Sequence, residues 1–403
     1  MRISTAQLYN QSISSINKHQ SSSNALMDQI SSGKRVNTAG DDPVASIGID
    51  NLSQQNTLID QYLKNIDYAT NHLALAESQL GDADTLTMSI RDNMLAALNG
   101  SYSESERQSL ADEMQHGLDA LLALANYRDG DGHYLFSGTL TEQQPFAFDN
   151  SGNIVYSGND DTRQALVAAG VAIATNLPGD TAFMAAPNAM GDFSVNYSAN
   201  QTGDFVVSAA EISDSAAYAA APVGDYTISF TDDGAGGLNY QVSQGGAPLA
   251  APAAFDPTNS IIFNGISMSF DGEPANGDSL TITEQANTNI FDTIQQAINL
   301  FTSGNDLQTP AGQSELAQLL NNFDSSVEQM RDARSVAGNA LNSLDRITDN
   351  HQNLKLANSS ALSTLEDLDF AEAISEFEKQ QVALNASSQL FGRLSSFNLF
   401  DYI

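Results

Sequence analysis

The chain has 403 residues, which is too long for one compact core and predicts two or three domains. It carries 15 lysines and arginines against 49 aspartates and glutamates, a formal net charge of −34. Such a charge repels nucleic acid and anionic lipid, so neither is expected as a partner. The absence of cysteine excludes disulfides, thiolate metal sites and cysteine nucleophiles.

The sequence contains no run of about 18 apolar residues, so no transmembrane helix is expected. The first 20 residues lack the apolar segment of a cleavable secretion signal. If the protein leaves the cell, we therefore expect an export route that reads a different signal.

Both ends of the chain carry apolar residues at alternating steps of three and four, the pattern of helices that pack along their length. At the N-terminus this pattern predicts one helix that ends at Gly33, with the stripe Ala6, Tyr9, Ile13, Ile16, Gln20, Ser23, Met27 and Ile30. At the C-terminus the stripe passes His351 and continues through Phe370, Ile374, Phe377, Gln381, Leu384, Ser388 and Phe391.

The segments next to these ends also have helical periodicity. Asp42 is a predicted N-cap with Pro43 in the first helical position, and a long helix follows to about Leu80. Gly81 and Asp82 mark a point where this helix can break before it continues to Asn99. Ser103, with Glu106 three residues later, forms a capping box that opens the next helix.

Residues 136–284 differ in composition from the rest of the chain. They hold 16 of the 28 glycines, 8 of the 10 prolines and one basic residue, Arg163, against 17 acidic ones. Short alternating runs separated by Asx-Gly and Gly-Gly turns predict a β-rich insert of hairpins. Helical periodicity resumes near Ile290 and continues towards Leu368, so we expect the insert to interrupt a helical bundle whose two halves meet.

No combination of residues in the sequence has the spacing of a catalytic or metal site. The five histidines are far apart, and the zinc-protease, serine-hydrolase and phosphate-loop motifs are absent. The segment 149–153 is similar to a calcium loop, but its glycine is in the fourth position instead of the sixth. We therefore expect no cofactor, no resident metal and no enzyme activity.

The end of the chain is unusually apolar for a free terminus, and the terminal stripes include polar residues that weaken them as a self-contained core. Polar groups at such positions are suited to fixing the register between packed helices. We therefore predict an assembly interface made of Ile3, Tyr9, Ile13, Ile16, Met27, Ile30, Phe377, Leu384, Leu390, Phe391, Leu394, Phe397, Leu399 and Phe400.

Four separate segments resemble one known family. They are MRISTAQLY at residues 1–9, SGKRVNTAGDDPVASIGID at 32–50, DGHYLFSGT at 131–139 and FEKQQVALNASSQLFGRLSSFNLFDYI at 377–403. In this order they resemble the flagellin superfamily, and most closely its hook-associated proteins of the hook–filament junction. The likeness covers roughly residues 1–140 and 285–403, whereas the insert matches nothing familiar.

The resemblance implies a fold of three parts. Residues 1–42 and 355–403 would form a terminal coiled-coil assembly domain, residues 43–135 and 285–354 a helical rod, and residues 136–284 a variable outer β domain. It also implies unfolded export through the flagellar type III apparatus, with a cytosolic chaperone on the C-terminal region and an extracellular location in the flagellum. We expect the insert to be dispensable for assembly.

We therefore predict a structural adaptor that associates with itself in a ring, between hook-associated protein 1 and the flagellin filament. Its end helices would order when they pack against neighbouring copies. Two alternatives remain open at this point. The protein could be a filament-forming flagellin, or an extracellular glycan hydrolase that uses paired carboxylates in a cleft of the insert.

Overall fold

The computed structural model describes residues 5–97, 102–303 and 306–396, without the side chains of residues 5, 6, 8, 306 and 394–396. The chain divides into a terminal unit, Met1–Lys64 with Arg346–Ile403, and a central unit, Asn65–Asp345. The predicted fold class, mainly helical with a β-rich insert, is confirmed. None of the helices described could span a membrane, because none is both long and apolar enough.

Seven helices and two short turns of other helix types account for the helical part of the described chain. The helices are α1 (Thr5–Ser32), α2 (Pro43–Ala97), α3 (Glu104–Ala125), α4 (Ser215–Ala220), α5 (Ile290–Thr302), α6 (Pro310–Glu366) and α7 (Phe370–Ser396). A π turn at Asp180–Met184 and a 3-10 turn at Asp306–Gln308 complete the set.

The predicted helix ends are confirmed where a local signal defines them. Gly33 follows α1 with a φ of 72°, in the left-handed region that favours glycine. At the start of α2, the Asp42 carboxylate accepts hydrogen bonds from the backbone N–H groups of Val44 and Ala45. The capping box at α3 is complete, because Ser103 and Glu106 each accept a hydrogen bond from the other's backbone N–H.

The possible break at Gly81 is absent, and α2 runs through it without interruption. A β-carbon at Gly81 would lie 3.2 Å from the Arg334 guanidinium, so the missing side chain makes room for that group. Arg334 in turn binds Glu77, with 2.7 Å between its Nε and Oε1. The cost of a helical glycine, about 1 kcal/mol, is thus offset by contacts with α6.

Fourteen short strands lie in the insert and a fifteenth directly follows it, and all are paired antiparallel. They are β1 (Phe146–Phe148), β2 (Ile154–Tyr156), β3 (Gln164–Ala168), β4 (Val171–Ala174), β5 (Ala186–Pro187), β6 (Phe193–Tyr197), β7 (Asp204–Ile212), β8 (Tyr226–Asp232), β9 (Leu238–Gln244), β10 (Ala247–Pro248), β11 (Ala253–Ala254), β12 (Ile261–Phe263), β13 (Ile266–Glu273), β14 (Ser279–Glu284) and β15 (Asn287–Thr288).

Two of the sheets share one apolar core. One has the order β10-β9-β8-β14-β6, with β11 also on β9, and the other has the order β12-β13-β7. Aromatic rings from both sheets meet in this core, where the Phe205 centroid lies 5.7 Å from that of Phe230 and 6.2 Å from that of Phe270. The alternating runs in the sequence thus correctly predict strands with one buried face.

A second core joins the helices of the central unit to the first part of the insert. Buried residues of α2, α3, α5 and α6 pack with Phe136, Phe146 and Phe183. The Phe146 ring lies 5.6 Å from the Phe183 ring and 5.3 Å from that of Phe291 in α5. Residues 136–184 therefore help to build the helical core, whereas the three-part domain division of the sequence stays a prediction.

The chain enters and leaves the β domain, defined here as residues 189–285, through a narrow neck. Strand β5 pairs with β15, and next to this pair the Asn188 N–H donates to the Ala286 carbonyl oxygen at 2.9 Å. The β domain also touches α6, because the Ser314 hydroxyl donates to the Phe205 carbonyl oxygen at 2.7 Å. The neck brings residues 188 and 286 side by side, as in a hairpin.

This neck predicts where the insert can be removed. Replacing residues 189–285 with a two-residue Asn-Gly turn should leave the helical core folded, because the turn closes strands that are already paired. Circular dichroism should show a cooperative helical melting transition close to that of the full chain.

A second, larger deletion serves for comparison. It replaces residues 140–278 with a Gly/Ser linker. It takes Phe146 and Phe183 out of the helical core, at a cost of about 3–5 kcal/mol for each ring lost. We expect a much lower melting temperature for this variant. Equal stability of the two deletions would contradict the proposed membership of residues 136–184 in the helical core.

His72 in α2 lies under a loop and a hairpin of the central unit. Its ring centroid is 4.4 Å from that of Tyr68, and its Nδ1 is 4.0 Å from Asp129 Oδ2. Burial lowers the pKa of His72 below its ordinary value of 6.5, and the positive charge of Arg163 adds to this effect. Smaller and mixed contributions to this pKa come from the neighbouring groups Asp129, Asp131 and His133.

The lowered pKa predicts loss of stability in acid. The fold favours the neutral ring, so this contribution is complete above pH 6.5 and is lost as the pH falls. His72→Gln should therefore show a smaller drop in melting temperature between pH 7.5 and 5.5 than the parent chain. His116→Gln, at an exposed position of α3, is the control and should behave like the parent.

Candidate assembly surface

Helices α1 and α7 pack antiparallel along a narrow seam. The Tyr9 and Phe391 rings lie 4.8 Å apart at one end. Near the middle, the His19 Nδ1–H donates to the Gln380 amide oxygen at 2.7 Å. These two contacts tie positions near the two ends of the sequence to one another and fix the register of the helices.

Few side chains in this seam are well buried. The less exposed residues of α1 include Ile16, His19, Ser23, Leu26 and Ile30, and of these Ser23 is buried. On α7, Ala373 is the corresponding buried residue. A serine and an alanine bury little apolar surface, so the pair gains little from the hydrophobic effect.

At the end of the helix pair opposite Tyr9 and Phe391, hydrogen bonds join the segment after α1 to the segment before α7. The Leu368 N–H donates to the Gly33 carbonyl oxygen at 3.0 Å, and the Arg35 N–H donates to the Glu366 carbonyl oxygen at 2.6 Å. The Lys34 ammonium pairs with the Glu366 carboxylate. The segment after α1 is thereby bonded to the segment between α6 and α7.

Polar pairs also join α2 to α6 within the terminal unit. The Asn358 amide donates to the Asn56 amide oxygen at 3.0 Å, and the Lys355 ammonium donates to the Asp60 carboxylate. The buried His351 ring stacks on that of Tyr62, with 5.5 Å between the ring centroids. Such pairs specify register more than they add stability.

The structure places the predicted interface residues in three groups. Tyr9, Ile13, Met27 and Leu390 are exposed, with Leu390 at 61%. The half-buried residues along the seam are Ile16, Ile30, Phe377, Leu384 and Phe391. Ile3, Phe397, Leu399 and Phe400 lie outside the described residues, and Leu394 lies in α7 without a described side chain. Their role in assembly stays a prediction.

The predicted stripes are out of phase with the observed seam at several positions. The spacing places Gln20 and Met27 in the seam, but both are exposed. Their neighbours His19 and Leu26 are half-buried, and His19 is bonded to Gln380 of α7. On α7, Ile374 is 46% exposed and the neighbouring Ala373 is buried. Steps of three and four fit both phases equally well, and the partner helix decides between them.

The sequence does not predict several exposed apolar residues of the terminal unit. Val44 and Ile47 at the start of α2 are 81% and 65% exposed, and Val382 on α7 is 68% exposed. Val382 lies next to Gln381 of the predicted stripe, whereas Val44 and Ile47 lie in the first turns of α2, outside the predicted stripes. Their signal in the sequence is the presence of apolar residues on the polar side of an amphipathic helix.

Buried and exposed apolar residues are divided unequally between the two units. Among the described residues, 63 apolar residues are buried, and four of them, Val36, Ala45, Ile59 and Ala373, belong to the terminal unit. Yet this unit holds 12 of the 25 large apolar residues that are exposed. The terminal unit therefore has almost no core of its own and presents much apolar surface to water.

Three acidic side chains of the insert are held in their charged form by hydrogen bonds within their own turns. Backbone N–H groups of their own turns lower the pKa of Asp149 and Asp233, and the Thr258 hydroxyl and N–H lower that of Asp256. A general acid needs a raised pKa instead. Within the described part of the chain, no three His, Asp or Glu side chains form a group that could hold a metal ion.

The thin seam predicts mobile terminal helices in the free chain. Amides of residues 12–30 and 373–391 should exchange with deuterium about tenfold faster, or more, than those of 111–125 and 316–337, which pack in the helical core. Peptide-resolved exchange of the purified chain measures this difference. Equal protection of the two groups would show that α1 and α7 are stable without a partner.

Comparison with known protein families matches both helical parts of the chain. The model of the bacterial flagellin N-terminal helical region matches residues 3–141, and that of the C-terminal helical region matches residues 320–403. The flagellar hook-associated protein 3 of Salmonella typhimurium is 39% identical over 146 residues, or 36% of this chain and 46% of that protein. The chain thus spans about half the length of this relative.

Two solved structures cover more of the chain. The flagellar junction protein FlgL from Legionella pneumophila is 30% identical, with a TM-score of 0.65, over 79% of this chain and 100% of that one. A structure of flagellar hook-associated protein 3 from the same organism is 29% identical, with a TM-score of 0.68, over 79% of this chain and 98% of that one.

Proposed function

The chain belongs to the family of the flagellar junction protein FlgL, within the flagellins, and from this premise we propose that it is a structural adaptor at the hook–filament junction. In this role it turns over no substrate. It forms a ring of copies that contacts hook-associated protein 1 on one side and flagellin on the other.

The observation that carries this proposal is the small number of buried apolar residues in the terminal unit. Among its described residues, 12 large apolar residues are exposed and four apolar residues, two of them alanines, are buried. Covering one such side chain contributes about 1.5–3 kcal/mol, so packing against neighbouring subunits offers a large gain that the free chain lacks. Folding of the ends and assembly are then coupled, and the ends stay loose until neighbours are present.

The charges of the two units favour the terminal unit as the place of assembly. It has nine basic and thirteen acidic residues, a net charge of −4. The central unit has six basic and 36 acidic residues, a net charge of −30. Copies therefore repel each other strongly through their central units and weakly through their ends. A ring in which the ends meet and the central units stay apart minimises this repulsion.

The same features support the proposed route to the flagellum. A chain whose ends are held by few buried side chains costs little to unfold there, which suits unfolded export through the type III apparatus. Before export, the exposed apolar residues of α7 need a cover, and a cytosolic chaperone on the C-terminal region supplies it. The location in this proposal is the extracellular part of the flagellum.

A charge placed on α7 tests the assembly surface. Val382→Asp changes a side chain that is 68% exposed, so the free chain should fold normally. In the ring this carboxylate would be buried without a partner, at a cost of several kcal/mol. We expect cells that carry only this variant to make hooks without filaments and to release flagellin into the medium.

Val223→Asp is the matched control, because Val223 is 98% exposed and lies in the β domain. Cells with this variant should build normal filaments and swim. Circular dichroism of both purified variants checks that neither change alters the fold. Normal filaments on the Val382→Asp cells would contradict a role for this face of α7 in assembly.

A further inference from the structure

The β domain has an apolar core of its own. This cluster of buried residues has 17 members, and 16 of them lie between Phe193 and Ile282. The remaining member is Ala311 of α6, whose side chain is a single methyl group. None of the described residues in the apolar core of the helices comes from the β domain. Apolar packing therefore holds the β domain together but contributes little to its attachment to the helices.

Hydrogen bonds attach the β domain to α6 at two places. One lies at the neck, where the Ala189 N–H donates to the Asn322 side-chain oxygen at 2.9 Å. The other is at the buried Ser314, which lies about 12 Å farther along the helix. The Ser314 hydroxyl donates to the Phe205 carbonyl oxygen at 2.7 Å, and the buried Gln201 side-chain amide donates to Ser314 Oγ at 3.1 Å. We call Ser314, Gln201 and Phe205 the latch.

Both donors of the latch have a second acceptor on their own side of the interface. The Ser314 hydroxyl lies 2.9 Å from the Pro310 carbonyl oxygen, one turn back in α6. The Gln201 amide donates to the Gly203 carbonyl oxygen, within the β domain, at 3.0 Å. When the latch opens, the hydroxyl proton can turn to Pro310 and the amide keeps its bond to Gly203. Opening therefore leaves neither donor without an acceptor, so its free-energy cost is small.

A cleft of about 390 Å³ lies between the β domain and the helices. Its lining includes Tyr197 and Ala199 of the β domain, Asn299 of α5, and Gly312 and Glu315 of α6. The β domain therefore covers this side of the helices only in part. An interface between domains that is small and mostly polar permits relative motion of the domains.

We propose that the β domain swings away from α6 as a rigid body, with the neck as its hinge and the latch as the contact that opens. Strands β5 and β15 stay paired, and the backbone bends at residues 188–192 and 285–286, between the neck and the strands of the β domain. The strand ladders and the apolar core of the β domain remain intact. A sideways force on this domain is then absorbed at the hinge and does not reach the helical core.

Thiol labelling of the purified full chain tests the swing. The chain has no cysteine, so each variant carries a single thiol. Ala311→Cys places it on α6 against the β domain, and Val207→Cys places it on β7 inside the core of that domain. The rate with dithionitrobenzoate, divided by the rate of the same variant in denaturant, should be about tenfold higher or more at position 311. A rigid swing exposes position 311 and leaves position 207 buried, whereas unfolding of the domain exposes both.

Ser314→Ala tests the latch. In the closed position the Ser314 hydroxyl makes one hydrogen bond more than in the open position, because it also accepts from Gln201. Its loss should make Ala311→Cys react roughly fivefold faster and leave the rate of Val207→Cys nearly unchanged. Ser326→Ala is the matched control, because Ser326 is also buried in α6 but its hydroxyl donates within its own helix. This change should leave both rates as they are.

Circular dichroism of each variant shows that it is folded before labelling. If Ala311→Cys does not fold, Gln318→Cys takes its place, because the buried Gln318 lies on the same side of α6, four residues from both Ser314 and Asn322. Equal corrected rates on α6 and at position 207 would overturn the rigid swing. A rate on α6 that Ser314→Ala leaves unchanged would overturn the latch. The swing is a property of the single chain, so neither result bears on the proposed function.

Discussion

A pair of helices can bury only the one stripe of each helix that faces the other, and this limit governs the terminal unit. Helices α1 and α7 have apolar residues on more than one side, as Val382 and Leu390 illustrate. Within the described part of the chain, these two side chains are exposed to water. Additional copies can provide the missing helices. The polar pairs His19–Gln380 and Lys355–Asp60 then hold each copy in a register that neighbours can match.

Stability and charge are distributed in opposite ways along the chain. The central unit has two well-packed cores and most of the negative charge, whereas the terminal unit has little of either. A well-packed core tolerates the self-repulsion of a large charge, and that charge keeps the free chain soluble. Weakly charged ends without a core are suited to association. The large negative charge thus lies in the unit with the well-packed cores, and the unit with little net charge is the one suited to association.

The sequence predicted features that depend on local chemistry. Gly33, Pro43 and the capping box of Ser103 and Glu106 act within a few residues, and all define observed helix ends. The phase of the terminal stripes depends on a partner helix some 360 residues away, as the 361-residue separation of His19 and Gln380 shows. The place of Phe146 in the helical core depends on a three-dimensional contact that its strand-like surroundings do not reveal. Of the candidate interface, the helices and exposed apolar residues such as Tyr9 and Leu390 could be predicted, whereas the exposed Val44, Ile47 and Val382 could not.

The neck formed by β5 and β15 has a consequence for how this protein can vary. Its two strands bring the start and the end of the β domain to adjacent positions, so the helical core needs only a short closure there. Any folded module whose own termini lie close together could be grafted at this point without a change in the helices. The β domain is therefore an exchangeable module, and the same helical core can carry a foreign domain in its place.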